Sequence, residues 1–300
     1  MSRTDDDTWD ITEGVGATAL SVARARADET DAERPLYTDP FAHFFIDAAV
    51  EAGWRSPFLD DAGATRMMSA YIACRTKQID DFFTTAGANG LDQVVILAAG
   101  LDTRAWRLPW ISGTVVYELD QPKVLEFKKR VLAAHAARPA TGYVAVPIDL
   151  RKDWPKALRQ AGFDASRPTA WSAEGLLPYL SAADQDALFE HIDRLSAVGS
   201  RLDVEAFGPD FYSAEGLARR RARIDQAREA ARSAGRPEVP DPSRLWYLEP
   251  RTDVARWLTE RGWEVSTINA VDLMASHQRQ APEELSELVP DTTFVEAQKL

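Results

Sequence analysis

Acidic residues stand at or just beyond the ends of four apolar runs in this 300-residue chain. The first run, residues 92–99, leads into Gly100 and Asp102, and the next three runs end at Glu118 with Asp120, at Asp149 and at Glu174. Short apolar runs bounded by turn residues are typical of strands buried in a parallel sheet, and the carboxyl ends of such strands share one edge. We therefore expect the carboxylates to meet in one crevice. There they would accept hydrogen bonds from hydroxyl and amine groups or face a cation.

The turn after the first run contains a single glycine, which argues against a bound dinucleotide. In AAGLDT, Ala98 and Thr103 stand where the first and third glycines of G-x-G-x-x-G would be, and Asp102 lies where phosphate charge would fall. S-adenosylmethionine carries no phosphate. It presents a sulfonium, an ammonium, ribose hydroxyls and an adenine amine, which suit a row of acids. Its carboxylate would need a cation such as Arg75 or Arg26.

These acids can meet only if a sheet positions them, and the apolar pattern predicts that sheet. Runs with strand character alternate with helical spacing, which favours an α/β fold with a doubly wound, seven-stranded and mostly parallel sheet. We predict the strands at 92–99, 114–120, 142–149, 169–175, 200–207, 263–270 and 293–300.

The segments outside the sheet complete the predicted organisation. Residues 1–12 have the composition of a disordered tail, and residues 13–300 are predicted to form a single domain. Within it, residues 13–90 carry helical spacing and form an N-terminal helical cap. Residues 208–250 are too long for a plain connection and follow the fifth strand, so we predict that they form a helical lid over the ligand.

Composition and charge argue against a nucleic-acid-binding, membrane-binding or secreted protein. The chain has 47 acidic and 35 basic residues and a formal net charge of -12, so its field repels nucleic acid and anionic membranes. Its one cysteine, Cys74, precludes an internal disulfide and suits the reducing cytoplasm. The start lacks the order of a signal peptide, and the four histidines lack metal-ligand spacing. We expect a cytoplasmic monomer or homodimer with no metal, nucleic-acid or membrane partner.

Seven motifs occur in order between residues 26 and 180: RADET, DPFA, YIACRTKQIDDFF, VVILAAGLDTRAWRL, VVYELDQPKVLEFK, IDLRKDW and AEGLLPYL. With this set the chain resembles the leucine carboxyl methyltransferase family of class I S-adenosylmethionine-dependent methyltransferases. The resemblance is greatest to the actinobacterial branch, which includes polyketide-pathway O-methyltransferases. It implies a Rossmann-like fold, a methyltransferase domain over residues 13–300 and S-adenosylmethionine as the methyl donor.

The resemblance also assigns residues to the methionine end of the donor. Gly100 would let the backbone approach the methionine part, where a side chain would collide. Arg75 and Arg26 would hold the methionine carboxylate by charge-assisted hydrogen bonds. Glu174, at the end of the fourth strand, would face the amino-acid end of the donor.

At the nucleoside end, the resemblance implies that Asp120 accepts from both ribose hydroxyls. Asp149 would accept from the adenine amine, with Leu150 supplying its backbone. A structural alternative for Asp120 is a cap on the following helix, since Gln121-Pro122 comes next. The implied cofactor-binding set is Arg26, Arg75, Ala99, Gly100, Leu119, Asp120, Asp149, Leu150 and Glu174.

Other charged residues have structural alternatives too. Arg75 could pair with Asp80 or Asp81 on an exposed helix face. Asp102 is expected to brace the loop through backbone hydrogen bonds, as an aspartate beside a glycine turn usually does. A run of arginines could attract an anionic substrate, but such runs are typical of a solvated helix face. The run consists of Arg219, Arg220, Arg221 and Arg223.

The acceptor follows from the chemistry of methyl transfer, in which the protein positions the reacting groups and excludes water. A carboxylate acceptor is ionised at neutral pH and needs no base, whereas a phenol, with a pKa of about 10, would benefit from one. We favour O-methylation of a small-molecule carboxylate, with secondary metabolism as its setting. The catalytic residue stays open between Tyr179, Tyr212 and His277, and Phe207 is a further candidate for the acceptor pocket.

Two other functions stay open on the sequence. One is a nicotinamide-dependent oxidoreductase, because one fold hosts many chemistries. The other is a non-catalytic protein that binds S-adenosylmethionine.

Overall fold

The computed structural model describes residues 14–54, 62–233 and 242–300, and seven strands lie within them. The strands are β1 (Gln93–Leu97), β2 (Val115–Asp120), β3 (Gly142–Pro147), β4 (Ala170–Ala173), β5 (Arg201–Phe207), β6 (Trp263–Asn269) and β7 (Thr292–Lys299). They form one sheet in the order β3-β2-β1-β4-β5-β7-β6. The first five strands pair in parallel, and β7 runs antiparallel to both β5 and β6. The predicted mostly parallel α/β sheet is confirmed, while the tail predicted at 1–12 lies outside the described residues.

The central strand β1 is buried on both faces. Val95 packs in one hydrophobic cluster with Trp171, and Val94 packs in another with Phe82. Because successive side chains of a strand point to opposite faces, only a continuous apolar run can fill both clusters. Each such side chain contributes roughly 1.5–3 kcal/mol by burial. This packing fixes where β1 ends and therefore where the turn at Gly100 lies.

Eleven α-helices and three 3-10 helices connect and cover the strands in the described part of the chain. The α-helices are α1 (Gly14–Thr30), α2 (Ala42–Glu51), α3 (Ala62–Ala88), α4 (Arg104–Arg107), α5 (Pro122–Ala134), α6 (Trp154–Gln160), α7 (Ala182–Leu195), α8 (Pro209–Tyr212), α9 (Ala214–Ser233), α10 (Val254–Thr259) and α11 (Ala270–Ser276). The 3-10 helices span Leu177–Tyr179, Pro242–Leu245 and Glu283–Leu288. Helices α1 to α3 fall within the predicted cap, and α8 and α9 fall within the predicted lid. In the part of the chain that the structure covers, no helix is both long and apolar enough to cross a membrane.

Helix α1 crosses the loop that follows β1. Leu20 and Ala23 of α1 pack in one cluster with Leu101 of that loop. Arg26 comes three residues after Ala23 and therefore lies on the same face of the helix. The apolar contacts of α1 thus bring a basic side chain to the carboxyl edge of the sheet.

Helix α5 begins immediately behind β2. Pro122 occupies the first turn of α5, where its fixed φ suits a helix start and its missing N–H costs no hydrogen bond. The chain therefore leaves the strand within one residue of Asp120. This sharp exit leaves the Asp120 carboxylate at the end of β2.

Candidate functional site

The loop after β1 contains two residues in the left-handed conformation, Ala98 with φ 51° and Gly100 with φ 53°. Glycine adopts this conformation freely, whereas a Cβ makes it costly for alanine. A Cβ on Gly100 would lie 3.5 Å from the Cβ of Ala19, which is an ordinary contact. Within the protein, backbone conformation rather than crowding explains this glycine. The strand can end on a single glycine because Ala98 takes the other strained position.

The Asp120 carboxylate closes this loop. Its Oδ2 accepts a hydrogen bond from the Gly100 N–H at 2.6 Å, and its Oδ1 accepts from the Gln121 N–H at 2.6 Å. Burial raises the pKa of Asp120 despite these two bonds. The N-cap of α5 is Gln121, so Asp120 acts mainly as a bridge between two strand ends rather than as the helix cap. A phosphate bound at this turn would need the Gly100 N–H as a donor, but that N–H already donates to the Asp120 carboxylate, which would also repel the phosphate.

The ends of β2 and β3 are joined by polar contacts. The Gln121 Nε2 donates to Asp149 Oδ2 at 3.2 Å. Asp149 also forms an ion pair with Arg151, with 2.6 Å between Oδ2 and Nη2. The Asp149 charge contributes to the raised pKa of Asp120, which places the two carboxylates near each other. Leu150 lies between Asp149 and Arg151, half-buried against the core.

Arg75 connects α3 with the ends of β4 and β5. Its guanidinium lies 2.9 Å from Glu174 Oε1 through Nε and 3.1 Å from Glu205 Oε2 through Nη1. Glu205 also accepts from the Gly175 N–H at 2.7 Å. Burial would lower the pKa of Arg75, but the carboxylates of Glu205 and Glu174 raise it above its ordinary value. Arg75 is 7% exposed, so the alternative of a solvated surface pair is wrong.

The residues considered as surface partners of Arg75 have other contacts. Asp80 is buried and lies 2.7 Å from Arg104 and 2.6 Å from Arg107. Asp81 pairs with Lys77 on the exposed side of α3. Arg75 therefore faces the sheet edge, while Asp81 faces away from it.

Arg104 is a site residue that the sequence analysis did not single out. It is 1% exposed and forms ion pairs with Asp80 at 2.7 Å, Glu174 at 3.0 Å and Asp102. Burial would raise the pKa of Asp102, but the charges of Arg104, Lys128 and Arg26 together outweigh it, and the pKa falls to about 2. Asp102 also accepts from the Arg104 N–H at 2.6 Å, which confirms its expected role in bracing the loop.

Arg26 ties α1 to the same loop. Its Nη2 donates to the Leu101 carbonyl at 2.5 Å, and its Nε lies 3.2 Å from Asp39 Oδ2. Asp39 in turn accepts from the Thr103 hydroxyl at 2.8 Å. The Arg26 charge also acts on Glu174, so Arg26 lies near the carboxylates at the end of β4.

Together these side chains form a largely buried group that we call the strand-end cluster. It contains four guanidinium groups and five carboxylates, which leaves one negative charge in excess. Its members are Arg26, Arg75, Arg104, Arg107, Asp39, Asp80, Asp102, Glu174 and Glu205. The excess charge and the neighbouring Asp120 suit a ligand with a positive charge and several hydrogen-bond donors.

Glu205 is the second site residue that the sequence analysis missed. In β5, Asp203 and Glu205 are two residues apart and are buried within an apolar strand. Acids at this spacing share one face of a strand. An acidic pair inside a buried strand is the signal that could have identified Glu205.

The acceptor candidates divide into two groups by position. Tyr212 is half-buried beside the Arg251 guanidinium. The charge of Glu205 contributes to its raised pKa, so Tyr212 borders the strand-end cluster. Phe207 ends β5, and Tyr179 ends the 3-10 helix that follows β4. His277 has Lys77, Asp81 and Arg279 as its electrostatic neighbours, and the first two lie on the outer side of α3. The structure thus brings the two tyrosines and the phenylalanine to the strand ends but does not bring His277 there.

A second group of side chains lies around helix α8, in and beside the segment predicted to form a lid, and we call it the lid cluster. The aromatic ring of Phe211 is 4.5 Å from Phe207, 5.2 Å from Tyr212 and 4.9 Å from Trp246, measured between centroids. Two guanidinium groups complete the cluster, Arg220 at 4.4 Å from the Phe211 ring and Arg251 at 4.6 Å from the Tyr212 ring. Arg220 is therefore packed on aromatic rings, and the expectation of a fully solvated arginine run is wrong at this position.

Comparisons with known proteins agree with this architecture. The family model described as leucine carboxyl methyltransferase matches residues 19–193. A Mycobacterium avium (strain 104) protein named "Putative S-adenosyl-L-methionine-dependent methyltransferase" is 52% identical over 311 residues, covering 99% of each chain. A protein of the same name from Mycobacterium tuberculosis (strain ATCC 25177 / H37Ra) is 51% identical over 312 residues, covering 100% of this chain and 99% of the relative.

A solved structure extends the similarity to the fold. The crystal structure of a DUF574 family protein from Streptomyces avermitilis MA-4680 has a TM-score of 0.52 at 13% identity, covering 93% of this chain and 97% of that chain. The chain is thus an α/β protein of the class I methyltransferase type. It belongs to the leucine carboxyl methyltransferase family of S-adenosylmethionine-dependent methyltransferases.

Proposed function

We propose that this methyltransferase transfers the methyl group of S-adenosylmethionine to an oxygen atom of a small-molecule carboxylate. The observation that carries the choice of acceptor is that, among the described residues, neither Tyr212 nor His277 is placed and ionised as a base for a hydroxyl acceptor. Tyr212 is the candidate closest to the cluster, and burial raises its pKa to about 12, so its hydroxyl is protonated at neutral pH. His277 lies on the other side of α3. A carboxylate fits this site because it is already ionised and needs no base.

The donor set of the strand ends supports S-adenosylmethionine as the ligand. Asp120 already holds the Gly100 N–H, and its remaining lone pairs are acceptors for ribose hydroxyls. Arg26 Nε and Arg75 Nε are buried N–H groups without an aligned hydrogen-bond acceptor among the described residues. Unsatisfied donors of this kind fit residues that bind a carboxylate of the ligand.

We assign roles on that basis. Asp120 would bind the ribose, and Asp149 with the Leu150 backbone would bind the adenine. Arg26 and Arg75 would bind the methionine carboxylate. Glu174, which Arg75 and Arg104 keep ionised by lowering its pKa against the effect of burial, would face the amino-acid end. The backbone of Ala99, Gly100 and Leu119 would line the cleft between β1 and β2.

The donor supplies a methyl group on a positively charged sulfur, which leaves the protein with positioning and exclusion of water. Holding a nucleophile at about 3–3.5 Å from the reacting carbon can supply roughly 7–11 kcal/mol of the barrier. The ion pairs of Arg75 and Arg104 fix the ends of β4 and β5 on one side of the cleft. Helices α8 and α9, which follow β5, would cover the other side and keep water from the acceptor.

Methyl transfer from radiolabelled S-adenosylmethionine to a panel of carboxylic acids and phenols tests the proposal. Methyl esters release volatile methanol in base, whereas methyl ethers do not, so the product chemistry is read directly. We expect base-labile label on acids. Base-stable label on phenols, with none on acids, would overturn the carboxylate assignment.

Calorimetry with S-adenosylhomocysteine and NADH tests the donor separately. A ligand at 100 times its dissociation constant stabilises the fold by about 2.7 kcal/mol, which a thermal scan resolves. We expect a shift with S-adenosylhomocysteine alone. A shift with NADH alone would instead support the oxidoreductase alternative.

A further inference from the structure

The two guanidinium groups of the lid cluster form no ion pair with a carboxylate of the described residues. Within the described ranges, no carboxylate lies within 4.0 Å of Arg220 or Arg251. Arg251 instead donates to the carbonyls of Leu180 and Tyr247, the latter at 3.0 Å. Arg220 donates to the carbonyl of Phe211. These acceptors are neutral, and carboxylates act on the two arginines only from beyond ion-pair distance, Asp210 and Asp291 on Arg220 and Glu249 and Asp186 on Arg251. Partial burial outweighs their effect and lowers the pKa of both arginines.

Three donors of the lid cluster also have no hydrogen-bond partner. Arg220 Nε, Arg251 Nε and the Tyr212 hydroxyl are all buried and unsatisfied among the residues that the structure describes. Leaving a buried donor unsatisfied costs free energy, so such groups are uncommon unless a ligand completes them. Two cations without an ion-pair partner and three unsatisfied donors in one cluster match the acceptor oxygens of an anion.

The cluster adjoins the strand ends where the methyl donor is proposed to bind. Tyr212 senses the charge of Glu205, a member of the strand-end cluster. Phe207 is the last residue of β5, and Arg251 contacts the Leu180 carbonyl, directly after the 3-10 helix that follows β4. Anything bound by these groups would therefore lie beside the ends of β4 and β5.

The aromatic walls indicate the shape of the ligand. Phe207, Tyr212 and Trp246 are each half-buried. Their rings surround the buried Phe211 at centroid distances of 4.5 to 5.2 Å. Flat rings of this kind favour a planar apolar body, with stacking on the rings and on the guanidinium planes.

We propose that the lid cluster binds the acceptor of this methyltransferase, and that the acceptor is an aromatic carboxylic acid whose carboxylate lies between Arg220, Arg251 and Tyr212. This inference rests on the proposed carboxyl O-methylation and names its substrate class. In the reaction a carboxylate oxygen forms a bond to the methyl carbon as the sulfur–carbon bond breaks. The electron pair stays on sulfur, and no proton moves. The acceptor thereby changes from an anion to a neutral ester, which the two arginines hold less strongly.

Calorimetry on the protein saturated with S-adenosylhomocysteine tests this binding without any turnover. The probes are benzoate, cinnamate and 2-naphthoate, each compared with its primary amide, which keeps the shape and removes the charge. We expect at least one acid to bind about tenfold or more tightly than its amide, because hydrogen bonds to charged groups are the stronger ones. If no acid binds at millimolar concentration, or if acid and amide bind equally, the inference is overturned.

Matched variants locate the binding. Arg251→Gln and Arg220→Gln should each weaken acid binding about tenfold and leave amide binding unchanged, and Tyr212→Phe should weaken it less. Arg219→Gln is the control. It removes a guanidinium from the same helix, but this guanidinium is one that pairs with Asp210. Equal weakening by Arg219→Gln would show general electrostatics and contradict the assignment.

Two further results separate this inference from the proposed function. Unchanged affinity for S-adenosylhomocysteine in Arg251→Gln shows that the variant is folded, so any loss of acid binding is local. An acid that binds with the expected arginine dependence but gains no base-labile methyl group would contradict carboxyl methylation alone. Methyl esters formed with unchanged KM in both arginine variants would contradict the lid-cluster site alone.

Discussion

Two groups of arginines lie beside the carboxyl ends of the parallel strands, and their charges are balanced in different ways. Each of the four guanidinium groups of the strand-end cluster lies within 3.2 Å of a carboxylate. The two of the lid cluster contact backbone carbonyls and aromatic rings. The first group is neutralised within the fold and therefore fixes the geometry of the cleft. The second has no carboxylate within ion-pair distance among the described residues, and the proposed ligand would supply one.

Removing Arg104 unbalances the charges of the strand-end cluster and has the largest expected effect on stability. Arg104→Met would leave Asp80, Asp102 and Glu174 with less positive charge around them. Losing one partner of a buried ion pair typically costs about 3–5 kcal/mol. We expect a loss of that size in the free energy of unfolding, measured by urea titration.

The matched change in the lid cluster is Arg220→Met. It leaves no anion buried and should cost less than about 1 kcal/mol, mainly through the lost contact with the Phe211 ring. Equal losses for the two variants would mean that the two clusters do not differ in charge balance.

Asp120→Asn tests whether the acid beside the strand-end cluster binds the methyl donor. The amide keeps one oxygen for the Gly100 N–H but loses the negative charge proposed to bind the ribose. We expect S-adenosylhomocysteine to bind about 10-fold to 100-fold more weakly, in line with roughly 1.5–3 kcal/mol for a hydrogen bond to a charged group. Calorimetry measures this directly. Asp153→Asn, which alters the N-cap of α6, is the control and should keep the wild-type affinity.

Asp203 supplies a contrasting acid close to the strand-end cluster but without a cation of its own. It is fully buried in β5, and neither carboxylate oxygen has a hydrogen-bond partner among the described residues. Burial, helped by the charges of Glu296 and Glu174, raises its pKa well above the ordinary value. In the folded state Asp203 therefore holds its proton over a pH range in which the unfolded chain has lost it.

The sign of the resulting pH dependence follows from this difference. Above the unfolded pKa of about 3.9 the unfolded state gains charge that the folded state lacks, so stability falls as pH rises towards the folded pKa. Asp203→Asn should remove this contribution. We expect the free energy of unfolding of Asp203→Asn, measured by urea titration, to rise relative to that of the wild type as the pH is raised from 4.5 to 8. Parallel curves for the two proteins would show that Asp203 ionises normally in the fold.

Ala98→Gly has the smallest expected effect. Ala98 adopts φ 51°, and glycine should stabilise the fold by up to about 1 kcal/mol by removing the Cβ penalty. Ala99→Gly, one residue further on and without a positive φ, is the matched control and should be neutral or destabilising. Thermal unfolding distinguishes the two substitutions.

The sheet could be predicted from the sequence because its signal is local. Continuous apolar runs such as VVIL identify buried strands, and all seven were found. The acids Asp120, Asp149 and Glu174 follow from the same signal, because they close those runs. Their cofactor roles, in contrast, came from the family resemblance and remain proposals.

Pairing partners could not be predicted, because they depend on how distant elements pack. Arg75 pairs with Glu205, which lies 130 positions along the chain. Arg220 stands in a basic run that resembles a solvated face, yet tertiary packing places it on Phe211 and near Trp246. Periodicity and spacing carry no information about such contacts.

The position of β7 has a consequence for synthesis on the ribosome. β7 is the last strand along the chain, yet it lies between β5 and β6 and pairs with both. Until residues Thr292–Lys299 emerge, the outer edge of β5 and the whole of β6 lack their hydrogen-bonding neighbour. The strand that carries Glu205 and leads into the predicted lid therefore reaches its final surroundings only after Thr292–Lys299 have been translated.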